Sequence, residues 1–157
     1  MVNELDIKNS LQNLIVKNNT NTSSYYLSSS ITSKVVTISG ASAERVPVLN
    51  INYPAIFIEL DSLTDNHVEM GMSSRRDVEL GFKITCVNHE ETIAINNAED
   101  VDNDMIQLTY NLHNLLRNSI KVSNTVDSCL VTGTEYITDE GTYNARSVTT
   151  LTVRKRG

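Results

Sequence analysis

The chain of 157 residues contains no tryptophan, two phenylalanines, two prolines and two cysteines. Without Trp and with little Phe, its core has to be assembled from Leu, Ile and Val. Two cysteines do not make a disulfide framework. Cys86 and Cys129 both fall in strand-like runs, and in a reducing compartment they read as small buried hydrophobes. Cations are scarce as well. Thirteen Lys and Arg stand against nineteen Asp and Glu, a formal net charge of −6. Gripping nucleic acid needs clustered cations that displace counterions, so that class of function is disfavoured. No apolar run approaches the roughly 20 residues that span a bilayer. The opening Met-Val-Asn-Glu-Leu-Asp lacks the basic-then-apolar layout of a secretion signal, so a cytosolic origin is expected.

What is present suits one globular domain over residues 1–157. Apolar residues make up 39% and charged residues 20%. A chain of this length buries roughly 70% of the surface its unfolded form exposes.

The C-terminal half is the most legible part. Val78, Leu80, Phe82, Ile84 and Cys86 alternate with Glu79, Gly81, Lys83 and Thr85, the pattern of a half-buried strand running from about 76 to 87. A helix follows at about 99–118, with Val101, Met105, Leu108, Leu112 and Leu115 on one stripe. Glu99, Asp100, Asp102 and Asp104 crowd its start, and Arg117 and Lys121 lie at or past its end, as the helix dipole favours. Asn103, Gln107 and Asn114 form its wet face, and His113 flanks the stripe. Strands at about 127–138 and 144–155 close the chain as a hairpin around Asp139-Glu-Gly-Thr142. In the second of these, Thr149, Leu151 and Val153 face opposite to Val148, Thr150 and Thr152.

The first half is less regular. Residues 4–17 read as a helix, with Ile7, Leu11, Leu14 and Ile15 on one face, Asn9 and Asn13 opposite, and Asn3 as its cap. Residues 18–33 are polar and nearly low-complexity, which predicts a mobile segment anchored by Tyr25, Tyr26 and Leu27. A short strand is expected over 34–38. Pro54 opens another, Ala55-Ile-Phe-Ile-Glu-Leu60, whose continuous apolar run implies cover on both faces. Residues 61–75 read as a long irregular connection.

Each candidate chemistry fails at a named residue. Asp100-x-Asp102-x-Asp104 imitates a calcium loop, but Met105 stands where Gly is needed and Asn111 where a bidentate Glu is needed. Cys86-x-x-His89 offers two zinc ligands of the four a structural site requires. There is no nucleophile elbow, phosphate loop or dinucleotide fingerprint. The expectation is therefore no catalytic site, no cofactor and no metal.

Two basic features remain, Arg75-Arg76 and Arg154-Lys155-Arg156. Either they protect strand edges, or they meet an acidic surface on a partner or a neighbouring copy. Met70 and Met72, adaptable side chains in the 61–75 connection, join them as candidate contact residues.

The layout as a whole, with Tyr53-Pro-Ala-Ile-Phe-Ile-Glu59, an alternating strand, an acidic-start helix and a closing hairpin, resembles the tail terminator (tail completion) proteins of tailed bacteriophages. The resemblance implies an α+β domain, a mostly antiparallel sheet with two main helices packed on it. It implies a non-enzymatic virion protein that forms a closed ring, commonly a hexamer, at the head-proximal end of the tail tube. Such a ring would stop growth of the tube and sheath and would give the neck proteins a docking face. DNA would pass through its lumen without specific binding. The protein would be found in host cytoplasm during assembly and in the tail or neck afterwards, without membrane contact. A head–tail connector or stopper would share these properties, and a small ligand-binding domain or enzyme is the contrasting class. Ring closure would need a heterologous interface.

Overall fold

The computed structural model describes residues 3–20, 23–29, 36–42, 54–67, 76–89, 95–118, 126–138 and 144–156. Two helices and five strands follow in the order α1 (Glu4–Lys17), β1 (Thr37–Ser39), β2 (Ala55–His67), β3 (Arg76–His89), α2 (Ile95–Asn118), β4 (Ser128–Thr138) and β5 (Asn144–Arg156). The strands form one sheet in the order β1-β2-β3-β5-β4. Every pairing is antiparallel except that of β1 with β2. The domain is α+β, as expected.

One face of the sheet carries the helices. Alternation sends Ile56, Ile58, Val78, Leu80, Phe82, Ile84, Cys86, Leu151 and Val153 to this face, where they form one core with both helices. α1 packs over β1 and β2, whereas α2 packs over β3, β5 and β4. The helix stripes are those expected. Ile7, Leu11 and Ile15 are buried in α1, and Val101, Met105, Leu108, Leu112 and Leu115 in α2. Asn3 caps α1, its Oδ1 accepting from Leu5 N at 3.0 Å and Asp6 N at 3.4 Å. That bond satisfies backbone donors with no partner inside the helix.

Three boundaries differ from the sequence reading. β2 continues through His67 instead of ending at Leu60. Residues 61–65 are all exposed, so no apolar alternation marks them. Backbone pairing with β3, from Ser62↔Gly81 to His67↔Arg76, holds them extended. A bulge between Leu60 and Ser62 makes the transition. Gly81 lies opposite it, and a Cβ there would run into the Ser62 hydroxyl. Second, α2 begins at Ile95, so its acids sit beyond the first turn. Their interaction with the helix dipole is correspondingly weaker. Third, β1 spans Thr37–Ser39, one residue past the expected end at 38 and without Val36, whereas residues 34 and 35 of the expected strand lie outside the described residues.

Other expectations hold. Ala55 to Ile58 are all buried, and the two hairpin strands run as read. The connecting Asp139–Thr142 lies outside the described residues. No described helix is long and apolar enough to cross a membrane.

Candidate assembly surfaces

The register of β3 on β5 decides where the basic residues go. Asp77 pairs with Arg156, Val78 with Lys155 and Glu79 with Arg154. Arg76, the first residue of β3, is therefore one step from Arg156, although 80 positions separate them in sequence. Two basic features far apart in the chain converge on one end of the sheet. Met70, Met72 and Arg75 lie outside the described residues.

This end is mixed in sign. Asp65, Asp77, Glu79 and Asp127 stand among Arg76, Arg154, Lys155 and Arg156. The Arg154 Nε donates to Glu79 Oε2 at 3.0 Å, with both side chains substantially exposed. Arg154 is thus already paired across the strands. An exposed pair of this kind contributes about 0–1 kcal/mol, little enough for a partner to displace. The edge-protection reading fails for Arg154, which has Glu79 of β3 on one side and Ser128 of β4 on the other, whereas Lys155 and Arg156 run past the start of β4 and pair only with β3 among the described residues.

The opposite end of the sheet carries the acids of α2 together with Arg146 of β5. Asn88 Nδ2 donates to the Val101 carbonyl at 3.1 Å, and Val101 and Met105 pack on Ala145. These contacts seat the start of α2 beside the end of β3 and the beginning of β5. Glu99, Asp100 and Asp102 project from it, exposed, with Asp104 half-buried. Strands of 13 and 14 residues separate the two ends by roughly 40 Å. That distance far exceeds the screening length of about 8 Å, so the ends act as independent electrostatic faces.

A third surface was not legible in the sequence. Residues 23–29 lie along α2, enclosing a groove of about 420 Å³ lined by Ser23, Ser24, Tyr25, Tyr26, Ser29, Gln107, Tyr110, Asn111 and Asn114. Asn111 pins this segment, donating to the carbonyls of Leu27 at 2.9 Å and Ser29 at 2.8 Å. Of the three expected anchors, Leu27 is fully buried, Tyr26 is half-buried and Tyr25 is exposed. Gln107 and Asn114, expected on a wet face, line the groove. The signal was Asn111 itself, an amide that falls between Leu108 and Leu112 on the buried side of the helix.

Between α2 and the sheet runs a polar seam. Thr109 bonds Ser147 across it. One nitrogen of His113, Nε2, lies 3.0 Å from the hydroxyls of both Thr149 and Thr134. His113 is therefore a boundary residue with two partners on the sheet. Burial, aided by the charge of Arg117, lowers its pKa. Burial pushes the Cys86 thiol up to about 12 and that of Cys129 up to about 11. Both thiols are free and stay protonated at neutral pH, the opposite of an activated nucleophile. Residues 100–104 are helical, which rules out a calcium loop there. Among the described residues no group of three His, Cys, Asp or Glu side chains converges as metal ligands would.

Comparison with known protein families gives no match, and no curated protein matches the chain.

Proposed function

We propose that this protein is a structural assembly module, a ring-forming terminator at the head-proximal end of a bacteriophage tail tube. The observation that carries the reading is the pair of dissimilar sheet ends. One bears Arg76 and Arg154–Arg156 among carboxylates, and the other bears the acids of α2. A ring whose axis follows the strands would present these ends as its two faces, one for the tube and one for the neck. Two different partners require two chemically different faces. The α+β architecture is the one the resemblance implies, and the seam residues are engaged in holding α2 to the sheet. Tail sheath, where present, and the neck proteins would be further partners, with DNA passing through the lumen.

The test is electron microscopy of purified tail tubes with and without the protein, together with native mass spectrometry. Density capping one tube end and a discrete closed oligomer are expected. A monomer that leaves tube ends and tube lengths unchanged would sink the reading.

A further inference from the structure

The groove between residues 23–29 and α2 is lined by side chains of one chemical kind. All nine are Ser, Tyr, Asn or Gln. Each carries a hydroxyl or an amide, a group that both donates and accepts hydrogen bonds, and none belongs to the charged residue types. The chain as a whole has thirteen cations and nineteen carboxylates, so a groove without any is a marked local departure. This lining excludes ligand classes in turn. An anion would find no Lys or Arg there, and a metal ion no carboxylate, His or Cys. A lipid or an apolar peptide would find no Leu, Ile or Val.

The groove is also held in shape by bonds of its own. Ser23 Oγ donates to Asn18 Oδ1 and accepts from Tyr25 N at 3.1 Å. Leu27 N donates to the Asn18 carbonyl at 3.4 Å. These bonds tie one wall to the end of α1. On the α2 side, Asn111 commits its two N–H groups to the Leu27 and Ser29 carbonyls, and its Oδ1 accepts from Gln107 Nε2 at 3.0 Å. That bond orients the Gln107 amide, whose carbonyl oxygen and second N–H take no part in it. A prearranged site keeps the ordering cost of binding low. Ring surface is accessible as well, since Tyr25 and Tyr110 are exposed.

We propose that this groove binds a short, neutral saccharide. A sugar matches the lining group for group. Its hydroxyls both donate and accept, as the Ser, Asn, Gln and Tyr side chains do. Its carbon-bound hydrogens form a less polar face that packs on a tyrosine ring. The groove volume of about 420 Å³ lies in the lower part of the roughly 300–1,000 Å³ range of small-molecule sites, which suits a ligand of few rings. A nucleotide would stack on the same tyrosines, but its phosphate would meet no cation in the lining. The inference is independent of the ring reading, because no residue of the sheet lines the groove.

The test is saturation-transfer NMR on the full chain with a panel of neutral mono- and disaccharides built from glucose, galactose, mannose and N-acetylglucosamine, followed by isothermal titration. Binding of at least one panel member at millimolar concentration or below is expected. Tyr110→Ala should weaken that binding by about tenfold, through loss of the ring and its buried area. Tyr110→Phe, which keeps the ring, should weaken it less. Gln107→Leu, which keeps the size of the side chain and removes its amide, should weaken it severalfold. All three variants should keep the circular dichroism spectrum of the parent. Absence of binding by every panel member up to high millimolar concentration would overturn the proposal. So would binding that Tyr110→Ala and Gln107→Leu leave unchanged. Tighter binding of a control, either inorganic phosphate or a proline-rich peptide, would overturn it by assigning the groove to another ligand class.

Discussion

The hydroxyl of Thr109 lies 2.6 Å from that of Ser147, tying the middle of α2 to β5 inside the core. Both residues are fully buried. The Thr109 hydroxyl also donates to Met105 O at 2.8 Å. Thr109 is the donor in that bond, so Ser147 supplies the proton between the two hydroxyls. Thr109→Val leaves the Ser147 proton without this acceptor, and Ser147→Ala leaves Thr109 with its helical bond. Each single change should cost about 1–2 kcal/mol, and Thr109→Val should cost more than Ser147→Ala. The double variant should cost less than the sum of the two, since the second change removes the stranded group. Urea denaturation of the four proteins measures this.

His113 makes stability depend on pH. Its pKa lies below the ordinary 6.5 because burial and Arg117 both disfavour the imidazolium. The unfolded chain therefore binds a proton at a higher pH than the folded chain does. The stability that follows is complete above pH 6.5 and is lost as the pH falls towards the folded pKa. Thermal melts between pH 8 and pH 5 should show a decline beginning near pH 7. His113→Gln, which cannot titrate, should be flatter over the first part of that fall. An identical profile for the variant would assign the decline to other titrating groups, His67 and His89 among them.

The regular elements were legible because their side chains carry the signal. The alternation of Val78 to Cys86 and the stripe from Val101 to Leu115 are both consequences of one buried face. Residues 61–67 were not legible, because their order comes from backbone bonds to β3 and none of residues 61–65 is buried. The meeting of Arg76 with Arg156 was hidden for a related reason. It depends on the register between two strands, which neither strand encodes alone. The Tyr-lined groove was hidden because polar, repetitive sequence ordinarily signals a segment without a core. Here Leu27 and one helix amide, Asn111, hold it.

That segment allows a prediction of opposite signs. Ser28 is buried, and among the described residues its hydroxyl has no hydrogen-bond partner. Ser28→Ala should therefore stabilise the protein by about 1 kcal/mol. Asn111→Ala removes both bonds to the Leu27 and Ser29 carbonyls and should destabilise it by about 1–3 kcal/mol. Hydrogen exchange should rise at residues 23–29 in the Asn111 variant and leave β3 unaffected. Equal loosening of β3 would mean that the segment unfolds only with the whole domain.

Leu112 is fully buried in the main core, on the face of α2 that meets the sheet. Truncation to Ala removes apolar contact and leaves a cavity that the rigid sheet below cannot fill. The expected loss is about 2–5 kcal/mol by chemical denaturation. Tyr110 on the same helix is exposed, and Tyr110→Ala should cost less than 1 kcal/mol, within the usual range for a surface change. Similar losses at both positions would contradict the packing of α2 described above.

The Arg154–Glu79 pair separates folding from docking. Removing either partner of an exposed pair should lower stability by less than 1 kcal/mol, with the same sign for Arg154→Gln and Glu79→Gln. Their effects on attachment to a partner should differ in sign. Arg154→Gln takes a cation from the mixed end of the sheet, whereas Glu79→Gln frees that cation for an outside carboxylate. Binding to tube ends, measured by sedimentation at low salt, should fall severalfold for the first variant and hold or rise for the second. The difference should shrink at high salt, where exposed charges are screened. Equal binding by both variants at low salt would place the docking contact elsewhere on the molecule and leave Arg154 a purely intramolecular partner of Glu79.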